Sequence, residues 1–93
     1  MGKETALAVL VIHTAAGMDT ATYDQIAPEL TAQVKKQPGF MFHAAYMTPE
    51  GLVVGEIWEK REQHEKWFNE SVKPNVPAEI KIEVIDLHNV VRP

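Results

Sequence analysis

Residues 40–59 read Phe40-Met41-Phe42-His43-Ala44-Ala45-Tyr46-Met47-Thr48-Pro49-Glu50-Gly51-Leu52-Val53-Val54-Gly55-Glu56-Ile57-Trp58-Glu59. Two runs rich in aromatic and β-branched residues flank Pro49-Glu50-Gly51, a short connection containing glycine, so 40–48 and 52–59 pair as a β-hairpin. Each arm of that hairpin meets a helix. Upstream, residues 20–36 place Tyr23, Ile26, Ala27, Leu30 and Val34 on one apolar stripe. Asp19 or Thr20 is positioned to cap that helix, and Lys35, Lys36, Pro38 and Gly39 close it. Pro28 lies inside the stripe, which predicts a kink or break near residues 24–27. Downstream, 61–72 reads as a second helix with Trp67, Phe68 and Val72 as its apolar residues, ended by Pro74 and Pro77. His64, one turn before Trp67, is expected to be half-exposed on it.

The outer ends of the chain are strands. Residues 6–14 contain the unbroken run Leu7–Ile12, as in a strand buried on both faces. Residues 80–91 alternate at first (Ile80, Ile82, Val84 against Lys81, Glu83) and then become apolar on both parities. The order strand–helix–strand–strand–helix–strand is the split βαβ pattern. It predicts an α+β, ferredoxin-like βαββαβ domain with a four-stranded antiparallel sheet of order 4-1-3-2. Two helices cover only one face of such a sheet. The other face carries a contiguous apolar patch, larger than soluble monomers ordinarily expose, so a homodimer packed through the sheet face is expected. The 93 residues form one domain (1–93, with 1–5 as a flexible tail), small enough to be marginally stable alone.

Composition narrows the function classes. Thirteen acidic against nine basic residues give a net charge of −4, the wrong sign for a phosphate backbone, so no nucleic-acid partner is expected. The absence of cysteine excludes disulfides, thiolate catalysis and Cys-based zinc sites. No stretch approaches the ~18–20 apolar residues of a membrane span, so no membrane partner is expected. Lys3, the run 6–12 and Ala15-Ala16-Gly17 faintly imitate a signal peptide, but Glu4 and His13 flank the run and the fold needs it as a strand. The expected location is cytoplasmic.

The four histidines, His13, His43, His64 and His88, are the side chains whose ordinary pKa suits proton transfer near neutrality. His43 sits mid-strand beside small residues that leave room for a ligand; the competing reading is a hydrogen-bonded structural histidine. His13, at the end of the first strand, is placed to line the mouth of the same cavity. His88 falls late in the last strand, where a dimer partner would face it. Tyr46 offers a phenol to a ligand carbonyl or an oxyanion. Trp58 and Trp67 offer flat apolar walls, and Phe42 adjoins His43, although large aromatics in so small a domain are most often core. Glu56 shares a strand face with Trp58. If that face is buried, the carboxylate needs a partner or a raised pKa and becomes a possible base; otherwise it is a rim charge or a dimer salt bridge, the reading the sequence favours. No HxH, HxxxH or HExxH spacing occurs, so a metal site would need residues from separate strands, and none is expected. No phosphate loop or nucleotide fingerprint is present, and no cofactor is expected.

Pro38-Gly39-Phe40 before the second strand, the run Glu56-Ile57-Trp58-Glu59-Lys60-Arg61-Glu62 and the following Trp67 together resemble the dimeric α+β barrel superfamily. Within it they are similar to antibiotic-biosynthesis-monooxygenase-type domains, over about residues 6–92. Trp67 stands where haem-degrading members carry a tryptophan. Their haem-ligating histidine and first-strand asparagine are replaced here, by Pro77 and by apolar residues before His13, so haem chemistry is not implied. Many other members carry a histidine near the position of Trp67, and here the nearest is His64. The resemblance implies a cofactor-independent monooxygenase acting on a small apolar, aromatic or polyketide-like molecule. In that reading His43 is the base, Tyr46 its hydrogen-bonding partner, and Trp58, Trp67, His13 and Phe42 line the pocket. A non-oxidative cyclase or isomerase on the same scaffold, or a non-catalytic ligand-binding dimer module, are the alternatives.

Overall fold

The computed structural model describes residues 7–93, and the tail expected at 1–5 lies outside them. Strand β1 (Ala8–Ala16) is followed by helix α1 (Thr20–Val34), the hairpin β2 (Phe40–Thr48) and β3 (Gly51–Trp58), helix α2 (Arg61–Trp67) and strand β4 (Ile80–Leu87). The strands form one sheet in the order β2-β3-β1-β4, every neighbouring pair antiparallel. This is the α+β, ferredoxin-like arrangement read from the sequence. Among the described residues no helix is long and apolar enough to cross a membrane.

Local chemistry sets the ends of these elements. The Asp19 carboxylate accepts the Thr22 amide at 2.8 Å, occupying one of the free N–H groups at the start of α1. That helix runs through Pro28 as a single element rather than breaking at 24–27. Pro28 is exposed, so the carbonyl its ring leaves without an N–H partner can turn to water. The expected second helix is α-helical only to Trp67; residues Phe68–Val72 widen into a π-helical turn. Gly51 opens β3 with φ of 145°, and a side chain there would run into the Ala15 carbonyl, so the tip of the hairpin packs directly on β1. The last strand ends at Leu87, earlier than its apolar pattern suggested.

Both helices lie on one face of the sheet. Toward them point Val9, Val11, His13 and Ala15 of β1 and Leu52, Val54, Glu56 and Trp58 of β3, in the two-residue alternation of a pleated strand. The buried apolar residues form two clusters: Val9, Val11, Val34, Trp58 and Trp67 in one, Ala15, Met18 and Leu52 in the other. His13 and Glu56 occupy the register between them. A polar belt thus crosses the core where the apolar clusters meet.

Strand β2 reaches that belt through an irregularity. Phe40 pairs with Trp58 but Phe42 pairs with Ile57, so Met41 is an extra residue, a β-bulge. One added residue reverses the facing of everything after it. Phe40 therefore packs edge-on against Trp58 in the core, and His43, an odd number of residues further on, also faces the helices. The opposite sheet face exposes Phe42, Tyr46 and Ile85, with Leu10, Ile12 and Ile57 half-buried beside them.

Candidate active site

Two hydrogen-bonded chains meet at the polar belt. In the first, Glu56 lies opposite His43 across the β2–β3 pair, and His43 Nδ1 sits 2.9 Å from Glu56 Oε2. A carboxylate accepts, so Nδ1 carries the proton and Nε2 is left as an acceptor in the neutral ring. Tyr23, reaching down from the first turns of α1, donates its hydroxyl to that Nε2 at 2.7 Å. Trp58 donates its indole N–H to the other Glu56 oxygen at 2.9 Å. The result is a directed relay: Tyr23 O–H to His43, His43 N–H to Glu56, with Trp58 holding the far oxygen.

In the second chain His13 donates Nδ1–H to the Val54 carbonyl at 2.9 Å, since a carbonyl can only accept. Its Nε2 lies 2.8 Å from Nε2 of His64 on α2. With both rings neutral, His64 donates and His13 accepts. The His64 ring is stacked with Phe68 and edge-on to Trp58, and only 2% exposed.

The electrostatics follow from this packing. Burial pushes the Glu56 carboxyl up, but the hydrogen bond from His43, the nearby His13 ring and the Trp58 N–H together hold it below the usual carboxylate value. Glu56 is thus an ion in a site 5% exposed. Burial, reinforced by the charges of Glu56 and Asp24, raises the Tyr23 phenol, so it stays a donor at neutral pH. Burial and the neighbouring His13 push His64 down to about 4, against the pull of Glu56, so it is a neutral imidazole.

Beside the relay, between sheet and α1, lies an apolar cavity of about 80 Å3. That is about half the ~150 Å3 of a cavity that admits benzene, so an aromatic ring enters only if the walls move apart. Its polar wall is His13, Tyr23, His43 and Glu56; the remaining walls are apolar, among them Met18, Leu30, Val54 and Trp67.

The residues singled out from sequence divide across the sheet. His13, His43 and Trp67 line the cavity. Trp58 is wholly buried behind it and touches it only through Glu56. Tyr46 and Phe42, 56% and 52% exposed, lie on the opposite face, so neither reaches His43 within the chain. The reason is the pleat: residues one or three positions from His43 on a regular strand point away from it. The phenol that His43 does meet is Tyr23, which its place in the α1 stripe had marked as packing. Glu56 is a buried ion with partners rather than a rim charge. His64 is buried rather than half-exposed. His88 follows β4 and is exposed.

Fold and site together define a ferredoxin-like α+β domain with a buried acid–base relay on one wall of an apolar cavity. Solved structures with this architecture include those of antibiotic-biosynthesis-monooxygenase-type proteins, and the chain has their fold. SnoaB of Streptomyces nogalater, a cofactor-independent oxygenase, superposes with a TM-score of 0.64 at 11% identity, over 96% of this chain and 100% of its own. A protein of Nitrosomonas europaea described as a candidate antibiotic biosynthesis monooxygenase gives 0.69 at 12% identity, over 92% and 95%. The ActVA-Orf6 monooxygenase of Streptomyces coelicolor, solved with nanaomycin D, gives 0.59 at 15% identity, over 95% and 93%. No protein-family model and no curated protein sequence matches the chain.

Proposed function

We propose that the protein is a cofactor-independent monooxygenase acting on a small aromatic molecule with an acidic hydroxyl or activated C–H. The observation that carries this reading is the Tyr23–His43–Glu56 relay, which lies on the wall of an apolar cavity. His43 is the base. Glu56 fixes its tautomer and ring orientation and faces the positive charge that arrives with the proton. Tyr23 and His43 both line the cavity, and because the Tyr23 hydroxyl occupies Nε2 it passes the proton on: its own goes to Nε2 as it takes one from the substrate.

The substrate anion then supplies the electrons. For an activated CH2 oxidised to a carbonyl, O2 takes up four electrons. One oxygen atom ends in the new C=O and the other leaves as water with the two hydrogens, so no external reductant is needed. The apolar walls keep bulk water from the anion. This proposal includes a homodimer formed through the open sheet face, with its exposed Phe42, Tyr46 and Ile85, and a cytoplasmic location.

The test is oxygen uptake by the purified protein with hydroquinones and anthrone-like phenols, wild type against His43→Ala. Uptake that is lost in the variant supports the proposal. Turnover without oxygen uptake would instead assign a cyclase or isomerase using the same relay. Saturable binding without product would leave a ligand-binding module.

A further inference from the structure

His13, Glu56 and His64 each present one donor atom within 4.8 Å of the others, and all three residues are buried. They come from three elements, β1, β3 and α2, which is why no spacing motif in the sequence announced them. The two Nε2 atoms are 2.8 Å apart. Two nitrogen ligands at about 2.05 Å from one ion, meeting at a right angle, stand about 2.9 Å apart. The imidazole pair has the spacing of adjacent corners of an octahedron and would open by about 0.5 Å for a tetrahedral ion such as zinc, while a Glu56 oxygen would move inward by up to about 2 Å.

The surroundings match a metal centre in two further respects and depart from one in a third. His13 donates its other ring nitrogen to the Val54 carbonyl, the outer hydrogen bond that orients a ligating histidine and leaves its Nε2 lone pair free. Glu56 is likewise held from behind, by His43 and Trp58. The Nδ1 of His64 is buried and has no hydrogen-bond partner among the described residues. Buried polar atoms are rarely left so. Freeing the His64 Nε2 lone pair for an ion moves its proton to Nδ1, which has no acceptor among the described residues, so His64 lacks the outer hydrogen bond that His13 has.

We propose that His13, His64 and Glu56 form a binding site for a divalent first-row transition-metal ion. Two imidazoles and one carboxylate favour ions such as zinc, iron(II) or cobalt(II) over magnesium and calcium, which take all-oxygen sets. No step of the oxygenation proposed above uses a metal, but the site shares Glu56 with the relay, so binding is measured without substrate.

The full chain, stripped with EDTA, is dialysed against Zn2+ and separately titrated with Co2+ while visible absorption is followed. The expected result is one ion per chain. His13→Ala and His64→Gln should weaken binding by about a hundredfold or more, with His88→Ala, on the surface, unchanged. X-ray absorption of the zinc-loaded wild type should show two imidazoles in the first shell, a readout that holds even if a variant fails to fold. Absence of saturable binding, binding that survives in folded His13 and His64 variants, or equal uptake of Mg2+ overturns the site.

Discussion

His43 Nδ1 and Glu56 Oε2 lie 2.9 Å apart at directly paired positions of β2 and β3. The contact exists because the bulge at Met41 reverses the facing of β2 before His43. Without that extra residue His43 would sit on the open sheet face and Glu56 would be a buried charge facing apolar side chains, which is costly. The bulge, the ion and the imidazole form one unit, and the hydroxyl of Tyr23 completes it.

If Glu56 orients the base, Glu56→Gln should lower turnover with little change in KM, because the shape is kept while the tautomer of His43 is no longer fixed. His43→Ala should cost about 10²–10⁴-fold in kcat, the usual worth of a positioned general base. Steady-state kinetics of the two variants and the double variant check this: a shared role makes the losses strongly non-additive. Glu56→Gln should also cost about 1–3 kcal/mol of stability, since it loses charge-assisted hydrogen bonds from His43 and Trp58.

The two phenols separate the two faces of the sheet. Tyr23→Phe deletes the hydroxyl on His43 Nε2 and should reduce kcat markedly while leaving the cavity's shape intact. Tyr46→Phe, on the far side, should leave turnover within about twofold, as exposed positions away from a site usually do. Comparable losses from both would mean that a partner chain carries Tyr46 into the site.

The element order was legible because it rests on periodicity and turn residues, which are local, and the sheet order followed from the usual order of the fold that this pattern belongs to. Residues 40–59 alone placed the hairpin. Part of the site was legible too, in that the period of two could have excluded Tyr46 and Phe42 as companions of His43. That inference needs the strand to be regular near His43, and the bulge at Met41 is a break in regularity that composition does not mark. Tyr23 was hidden for a different reason. A tyrosine in an apolar helical stripe reads as packing, and only the tertiary approach of α1 to β2 gives its hydroxyl a partner. His64 was misjudged because charged neighbours on α2 suggest an exposed face, while Phe68 and Trp58 enclose its ring.

Acid should destabilise the metal-free protein in two stages. His64 is a base whose folded value, about 4, lies below its ordinary 6.5. Above 6.5 it is neutral folded or unfolded and contributes nothing to the pH dependence. Between 6.5 and about 4 only the unfolded chain takes up the proton, so stability falls with falling pH, by roughly 3 kcal/mol in all. Glu56, whose folded value is depressed, adds a further loss as pH falls through that value. Urea titrations from pH 7.5 to 4 in EDTA should show the first stage in the wild type and its absence in His64→Gln.

The open sheet face gives the last expectation. Phe42 and Tyr46 stand four residues apart on the same side of β2, with Ile57 beside Phe42 on β3 and Ile85 further across the sheet on β4. Large apolar side chains at such a density are expected to be covered by a second copy. A lysine at Phe42 would bring a charge into the centre of that contact, where it has no partner and loses its water. Phe42→Lys should therefore shift the protein from dimer to monomer in light scattering at micromolar concentration. If that contact forms, a domain of this size would draw much of its stability from it, so the variant's melting temperature should also become independent of concentration. A wild type that is already monomeric at high concentration would show instead that the face is left to water or to a different partner, and the variant would then melt where the parent does.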